Sequence, residues 1–88
     1  MSIDNVLEER KKTHGDFKTH AAIAQHLKAG LYNCNNWANL SDDMKESLEM
    51  IQNKIARILN GNPEIKDHWT DIIGYATLVE KRLPNASK

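Results

Sequence analysis

Residues 41–61, SDDMKESLEMIQNKIARILNG, contain the most regular apolar spacing in the chain. Apolar side chains follow one another at steps of four, three, four and three residues: Met44, Leu48, Ile51, Ile55 and Ile58. This spacing places them along one side of an α-helix. Ser41 and the two acids after it supply a cap and an acidic first turn, and Gly61 supplies a stop. We therefore predict a long helix that buries this apolar seam.

Two helices are predicted before it. Ser2 or Asp4 can cap a first helix that continues to Lys12, and Gly15 then interrupts it within the turn His14-Gly15-Asp16-Phe17. From Phe17 to about Tyr32, apolar residues recur at helical spacing. The sequence therefore predicts a turn around Gly15 and a second helix after it.

A last, fourth helix is predicted near the carboxyl end. Asn62-Pro63 is typical of an N-cap with proline at the first helical position, and it leads through a short turn to Asp67. Pro84 ends the helix. The predicted buried face consists of Trp69, Ile72, Ile73, Ala76, Val79 and Leu83. No strand-like alternation is present, so we predict an all-α fold: one domain, residues 1–88, forming a small antiparallel bundle of three long helices and a shorter one.

Composition narrows the classes of function. The chain has 88 residues, with 12 basic and 12 acidic side chains, so no net charge attracts a nucleic acid backbone. Met1–Thr13 is charged rather than apolar, and no apolar run approaches the roughly 20 residues that cross a bilayer. We expect a cytoplasmic protein without a membrane partner. Because so short a chain buries a modest core, we also expect a homo-oligomer, a dimer or higher.

Four acids are candidate metal ligands. Glu46 and Glu49 lie three residues apart on the third helix, so their carboxylates are neighbours that can bind Mg²⁺. Asp67 and Asp71 stand at the start of the last helix, which an antiparallel arrangement would bring close. The alternatives are a solvated face for the glutamates and helix capping for Asp67.

Other residues are candidate nucleotide ligands. Lys54 and Arg57 can neutralise phosphates, or can form intrahelical ion pairs instead. Trp69 and Tyr75 can stack on a base, although a tryptophan on an apolar stripe is more often part of the core. Gly74 suggests close approach of another backbone or a ligand.

Histidines complete the set of candidates. His14 and Asp16 form a polar turn beside Gly15 that can close over a ligand or cap the second helix. His20 and His26 are predicted to lie at the surface.

Three segments resemble a family of small phage and prophage proteins: Glu46–Ile51, Lys54–Pro63 and Asp67–Ala76, with the early His14–Phe17 turn. In layout this family is similar to the all-α nucleoside triphosphate pyrophosphatases of the MazG and dimeric dUTPase type. Those enzymes hold Mg²⁺ with Glu-x-x-Glu on one helix and Glu-x-x-Asp on the next. The resemblance implies that Glu46 and Glu49 match the first pair and Asp71 the final acid, while His68 replaces a glutamate.

Two functions follow as hypotheses. The first is Mg²⁺-dependent hydrolysis of a nucleoside triphosphate to monophosphate and pyrophosphate, with catalysis by Glu46, Glu49 and Asp71 and a further metal contact from Asp67. The second is a phage accessory protein without chemistry, which sequesters a nucleotide-derived signal or binds a host defence protein in the bacterial cytoplasm. The residue pattern leaves both open.

Overall fold

The computed structural model describes residues 2–85. Within that range the chain forms four α-helices and no strand: α1 (Ile3–His14), α2 (Phe17–Tyr32), α3 (Asp42–Asn60) and α4 (Lys66–Glu80), with a short 3-10 turn at Trp37–Asn39. The predicted all-α fold class is confirmed. None of these helices is long and apolar enough to span a bilayer, a finding that covers the described residues alone.

Helix α3 is the central element, with α2 and α4 on opposite sides of it. The Ser47 hydroxyl donates a hydrogen bond to the Tyr75 carbonyl of α4 at 2.7 Å. The Tyr32 hydroxyl, at the end of α2, donates to the Glu49 carboxylate of α3 at 2.5 Å. Because residues two apart on a helix point about 200° away from each other, α4 and α2 flank α3 on its two sides.

Side-chain caps mark the starts of α1 and α2, whereas Ser41, the predicted cap of α3, forms no capping hydrogen bond with its side chain. The Ser2 hydroxyl accepts a hydrogen bond from the Asn5 amide at the start of α1, and the Asp16 carboxylate accepts one from the Thr19 amide at the start of α2. The turn predicted between Asn62 and Asp67 is present, but Pro63 does not occupy a first helical position. The Asn62 side chain accepts from the Glu64 amide and forms a turn, so α4 begins only at Lys66.

The turn between α1 and α2 is fastened to the turn between α3 and α4, a connection we call the turn clamp. The Asn60 side-chain amide donates to the carbonyls of His14 and Asp16 at 3.0 and 2.8 Å. The Asn62 backbone amide donates to the Thr13 carbonyl at 3.2 Å. Gly15 adopts a φ of 80°, and a Cβ there would overlap the Asn60 carbonyl. The clamp therefore fixes the His14-Gly15-Asp16 turn against α3.

The predicted core is largely wrong. Ala24 and Ala56 are the buried apolar residues among those described, and the other buried side chains are polar: His20, Ser47, Gln52, Lys54 and His68. Trp69 is 51% exposed, and His20, predicted at the surface, is buried. The reason is the flat arrangement of α2, α3 and α4. Their contacts cover the two flanks of α3, and the apolar seam between those flanks is only partly covered: Leu48 and Ile55 are exposed, and Met44, Ile51 and Ile58 are half-buried.

Gln52 gives a first testable consequence. It is 4% exposed, and neither atom of its amide has a hydrogen-bond partner within residues 2–85. An unpaired buried amide costs about 1–3 kcal/mol. We expect Gln52→Met to raise the free energy of unfolding by about 1 kcal/mol, measured by urea denaturation. The matched control is Gln25→Met at an exposed position of α2, which should leave stability unchanged. A less stable Gln52→Met variant would show that the amide has a partner.

Candidate functional site

One end of the bundle contains a pocket of about 570 Å³ between α1, the start of α2 and Arg57 of α3. We call it the cationic pocket. Its lining residues are Leu7, Glu8, Arg10, Lys11, His14, Gly15, Asp16, Phe17, His20 and Arg57. The volume falls within the range of about 300–1,000 Å³ that accommodates small molecules.

Positive charge predominates in this pocket. Arg10, Lys11 and Arg57 carry fixed positive charges, against the carboxylates of Glu8 and Asp16. The Asp16 carboxylate already accepts hydrogen bonds from the amide and hydroxyl of Thr19, both at 3.1 Å. These bonds lower the pKa of Asp16 and keep its charge directed at the helix start. The arrangement favours an anionic ligand.

Two imidazoles of the pocket are held uncharged at neutral pH. Burial, and then the positive charge of Arg57, lower the pKa of His14 from 6.5 to about 4. The same two causes lower the pKa of His20. A neutral imidazole carries one N–H that can donate a hydrogen bond. His14 and His20 therefore offer donors to a ligand without adding fixed charge.

The turn clamp and His68 hold His14 in position. The ring of His68 lies 5.2 Å from that of His14, and its Nε2 is 3.5 Å from the Thr13 carbonyl oxygen. His68 is buried at the start of α4. It therefore packs against the His14-Gly15-Asp16 turn, which forms one wall of the cationic pocket.

Seven of the ten lining residues were not among the predicted site residues: Leu7, Glu8, Arg10, Lys11, Gly15, Phe17 and His20. Phe17 is 79% exposed, and its ring lies 6.2 Å from that of His20. A signal for the wall of α1 was present, because Leu7, Lys11 and His14 are spaced four and three residues apart and therefore share one side of the helix. The contribution of α2 depends on how the two helices pack, which no local spacing encodes.

Three of the six predicted nucleotide ligands line the cationic pocket, and three do not. His14, Asp16 and Arg57 line the cationic pocket. The other three lie elsewhere: Lys54, Trp69 and Tyr75. The ammonium of Lys54 is 3.2 Å from the Asp71 carboxylate, and the indole of Trp69 donates to the Pro63 carbonyl at 2.9 Å. Tyr75 is half-buried on α4.

The four predicted metal ligands form two pairs, one on α3 and one on α4, that do not combine into one group within residues 2–85. Glu49 accepts from Tyr32, and this hydrogen bond, with the charges of Glu49 and Glu46, raises the pKa of the tyrosine. Asp71 pairs with Lys54, and Asp67 is exposed in the first turn of α4. Among residues 2–85, no group of three or more His, Cys, Asp or Glu side chains can hold a metal ion. The arrangement therefore does not gather these acids around one ion.

Gly74 has open space around it, with no atom within 4 Å of the position that a Cβ would take. The expectation that another part of this chain approaches it closely is wrong. Gly74 lies on the exposed surface of α4.

Fold and site together define a small all-α domain with a cationic pocket at one end. Residues 3–83 match the model of a family described as a domain of unknown function, DUF6378, and the chain belongs to that family. No curated protein and no solved structure matches it.

Proposed function

We propose that this protein binds a nucleotide, or a phosphate compound derived from one, in the cationic pocket. The observation that carries the proposal is the convergence of Arg10, Lys11 and Arg57 from two helices on one cavity of about 570 Å³. Guanidinium groups match phosphate geometry with two parallel hydrogen bonds. The pocket thus supplies charge and donors for a phosphate.

Residues at the rim of the cationic pocket can contact the base and the sugar of a nucleotide. Phe17 presents an exposed ring beside the positive charges, and stacking on an aromatic ring contributes about 1–3 kcal/mol per base. His14 and His20 can donate hydrogen bonds to phosphate or sugar oxygens. A phosphate group inside the pocket and a base on Phe17 would therefore use both the cationic and the aromatic parts of the lining.

Catalysis stays a prediction of the resemblance to the MazG and dUTPase-type pyrophosphatases. Glu46 and Glu49 are neighbours on α3, as that resemblance requires, and Mg²⁺ is the ion it implies. Against it, Asp71 is paired with Lys54, and the acids of α3 and α4 do not converge. The geometry therefore favours the accessory protein that captures a nucleotide-derived compound over the hydrolase.

Calorimetric titration with nucleoside mono-, di- and triphosphates, with and without Mg²⁺, tests the proposal. Pyrophosphate release is followed in the same samples. Binding of a nucleotide without product supports capture, and Mg²⁺-dependent release that disappears in Glu49→Gln supports the enzyme. No heat of binding from any nucleotide would contradict the proposed function and leave a host protein as the partner.

Arg57 should make the largest single contribution to phosphate binding. Replacing it by glutamine removes a charge-assisted hydrogen bond worth about 1.5–3 kcal/mol, so we expect roughly 10- to 100-fold weaker binding of the nucleotide. The matched control is Arg82→Gln, because Arg82 pairs with Asp43 at the other end of α3. Equal loss of affinity in the two variants would show that overall charge, and not the pocket, determines binding.

A further inference from the structure

A second surface of the molecule is apolar and uncovered. A groove of about 270 Å³ runs between α3 and α4, and it is lined by Leu40, Met44, Ser47, Leu48, Ile51, Ala76 and Val79. On α4, Trp69 and Ile73 precede Ala76 by seven and three residues and therefore lie on the same side of the helix. They are 51% and 66% exposed. We call the groove with Ile55, Leu59, Trp69 and Ile73 the apolar face.

No charged side chain interrupts the apolar face along α3. Its residues there are Met44, Leu48, Ile51, Ile55 and Leu59, spaced four, three, four and four apart. The charged residues of α3 point to its flanks, where Lys54 contacts Asp71 and Glu49 contacts Tyr32. A continuous apolar stripe of this length is the signature of an interface between proteins rather than of a solvated helix face.

The chain exposes more surface than a compact monomer of its mass. The chain exposes 6709 Å², whereas a folded monomer of 10.0 kDa is expected to expose about 5,200 Å². Its radius of gyration is 15.3 Å, against about 12 Å for a compact chain of this length. The surplus of about 1,500 Å² lies within the area that one subunit contributes to an obligate homodimer, about 1,000–2,500 Å².

We propose that a second copy of this chain covers the apolar face, in a symmetric dimer formed by α3 and α4. A symmetric dimer needs one self-complementary patch, and the stripe along α3 meets that condition because it carries no charge. On α4, Lys66 and Glu80 lie seven residues before and after Ile73 and border the face on that side of the helix. Arg57 follows Ile55 by two residues and points about 200° away from it. The cationic pocket therefore stays open in the dimer, and the proposal stands apart from nucleotide binding. It also gives a location to the homo-oligomer predicted from chain length.

Size-exclusion chromatography of the full chain with light-scattering detection, over a range of protein concentrations, tests the dimer. We expect a mass of twice 10.0 kDa for the wild type and of one chain for Ile73→Glu and Ile55→Glu. The matched control is Leu78→Glu. Leu78 is 71% exposed, but it follows Trp69 by nine residues and so lies on the opposite side of α4. This variant should stay dimeric. A monomeric wild type, or equal dissociation by Leu78→Glu, would overturn the proposal.

Tryptophan fluorescence keeps the proposal testable if the glutamate variants fail to fold. In a Trp37→Phe background, Trp69 is the emitting tryptophan, and dilution of a dimer should shift its emission to longer wavelength and increase quenching by acrylamide. The melting temperature should fall on the same dilution. Emission and melting temperature that are both independent of concentration would contradict a dimer through this face.

Discussion

Replacing Gly15 by alanine is expected to lower the free energy of unfolding by about 3 kcal/mol or more. Gly15 has φ 80° and ψ −171°, a region that glycine alone occupies without strain of about 1–3 kcal/mol. In addition, the new Cβ would overlap the Asn60 carbonyl, which belongs to the backbone and cannot rotate away. Both effects disrupt the turn clamp, because the turn between α1 and α2 must move away from α3 to make room for the alanine side chain.

Thermal unfolding by circular dichroism measures this effect. A loss of 3 kcal/mol corresponds to a fall of more than about 12 °C for a domain of this size. Gly30→Ala is the matched control, since Gly30 lies inside α2 with nothing within 4 Å of the added carbon. There the same substitution should stabilise the helix by about 0.5–1 kcal/mol. Equal effects at the two glycines would show that the clamp does not hold in solution.

Removing the charge of Asp71 is the second large perturbation. Lys54 is 8% exposed, and Asp71 is the acid that neutralises it. A buried charge left alone costs about 3–5 kcal/mol, but the Asp71 side chain is 45% exposed and water screens the pair. We therefore expect Asp71→Asn to lower the free energy of unfolding by about 2 kcal/mol, measured by urea denaturation.

The double variant Lys54→Met/Asp71→Asn separates this role of Asp71 from metal binding. If the aspartate neutralises the lysine, removing both charges should restore most of the lost stability. If it is a metal ligand instead, the stability of the single variant should differ from that of the wild type only when Mg²⁺ is present. Loss of stability that Lys54→Met does not rescue would argue against the ion pair.

Helix positions follow from the sequence because their signals are local. The spacing from Met44 to Ile58, the cap residue Ser2 and the break at Gly15 each act within a few residues, and α1, α2 and α3 lie where they indicate. Pro63 was assigned to a first helical position because Asn62-Pro63 is compatible both with a helix start and with the turn that the structure contains; α4 itself begins one residue before the predicted Asp67.

Burial could not be predicted in the same way. Periodicity identifies an apolar side of a helix but not the element that covers it, so the seam of α3 was assigned to the core although α2 and α4 flank it instead. The site is a similar case. Arg57 was predicted to be a phosphate ligand and lines the pocket, but its neighbours Arg10 and His20 reach it only through the packing of three helices. Contacts between residues distant in sequence decide both outcomes.

The turn clamp has a further consequence for how tightly a ligand is held. Helix α1 forms one wall of the cationic pocket, yet it has no buried residue, and the clamp fastens only its carboxyl end. Segments with so little buried surface separate from the rest of a protein at small cost in free energy. The apparent affinity for a ligand of the pocket is proportional to the fraction of molecules in which α1 is packed in place, so it falls when α1 separates. A change in α1 that touches no ligand atom can therefore tune binding.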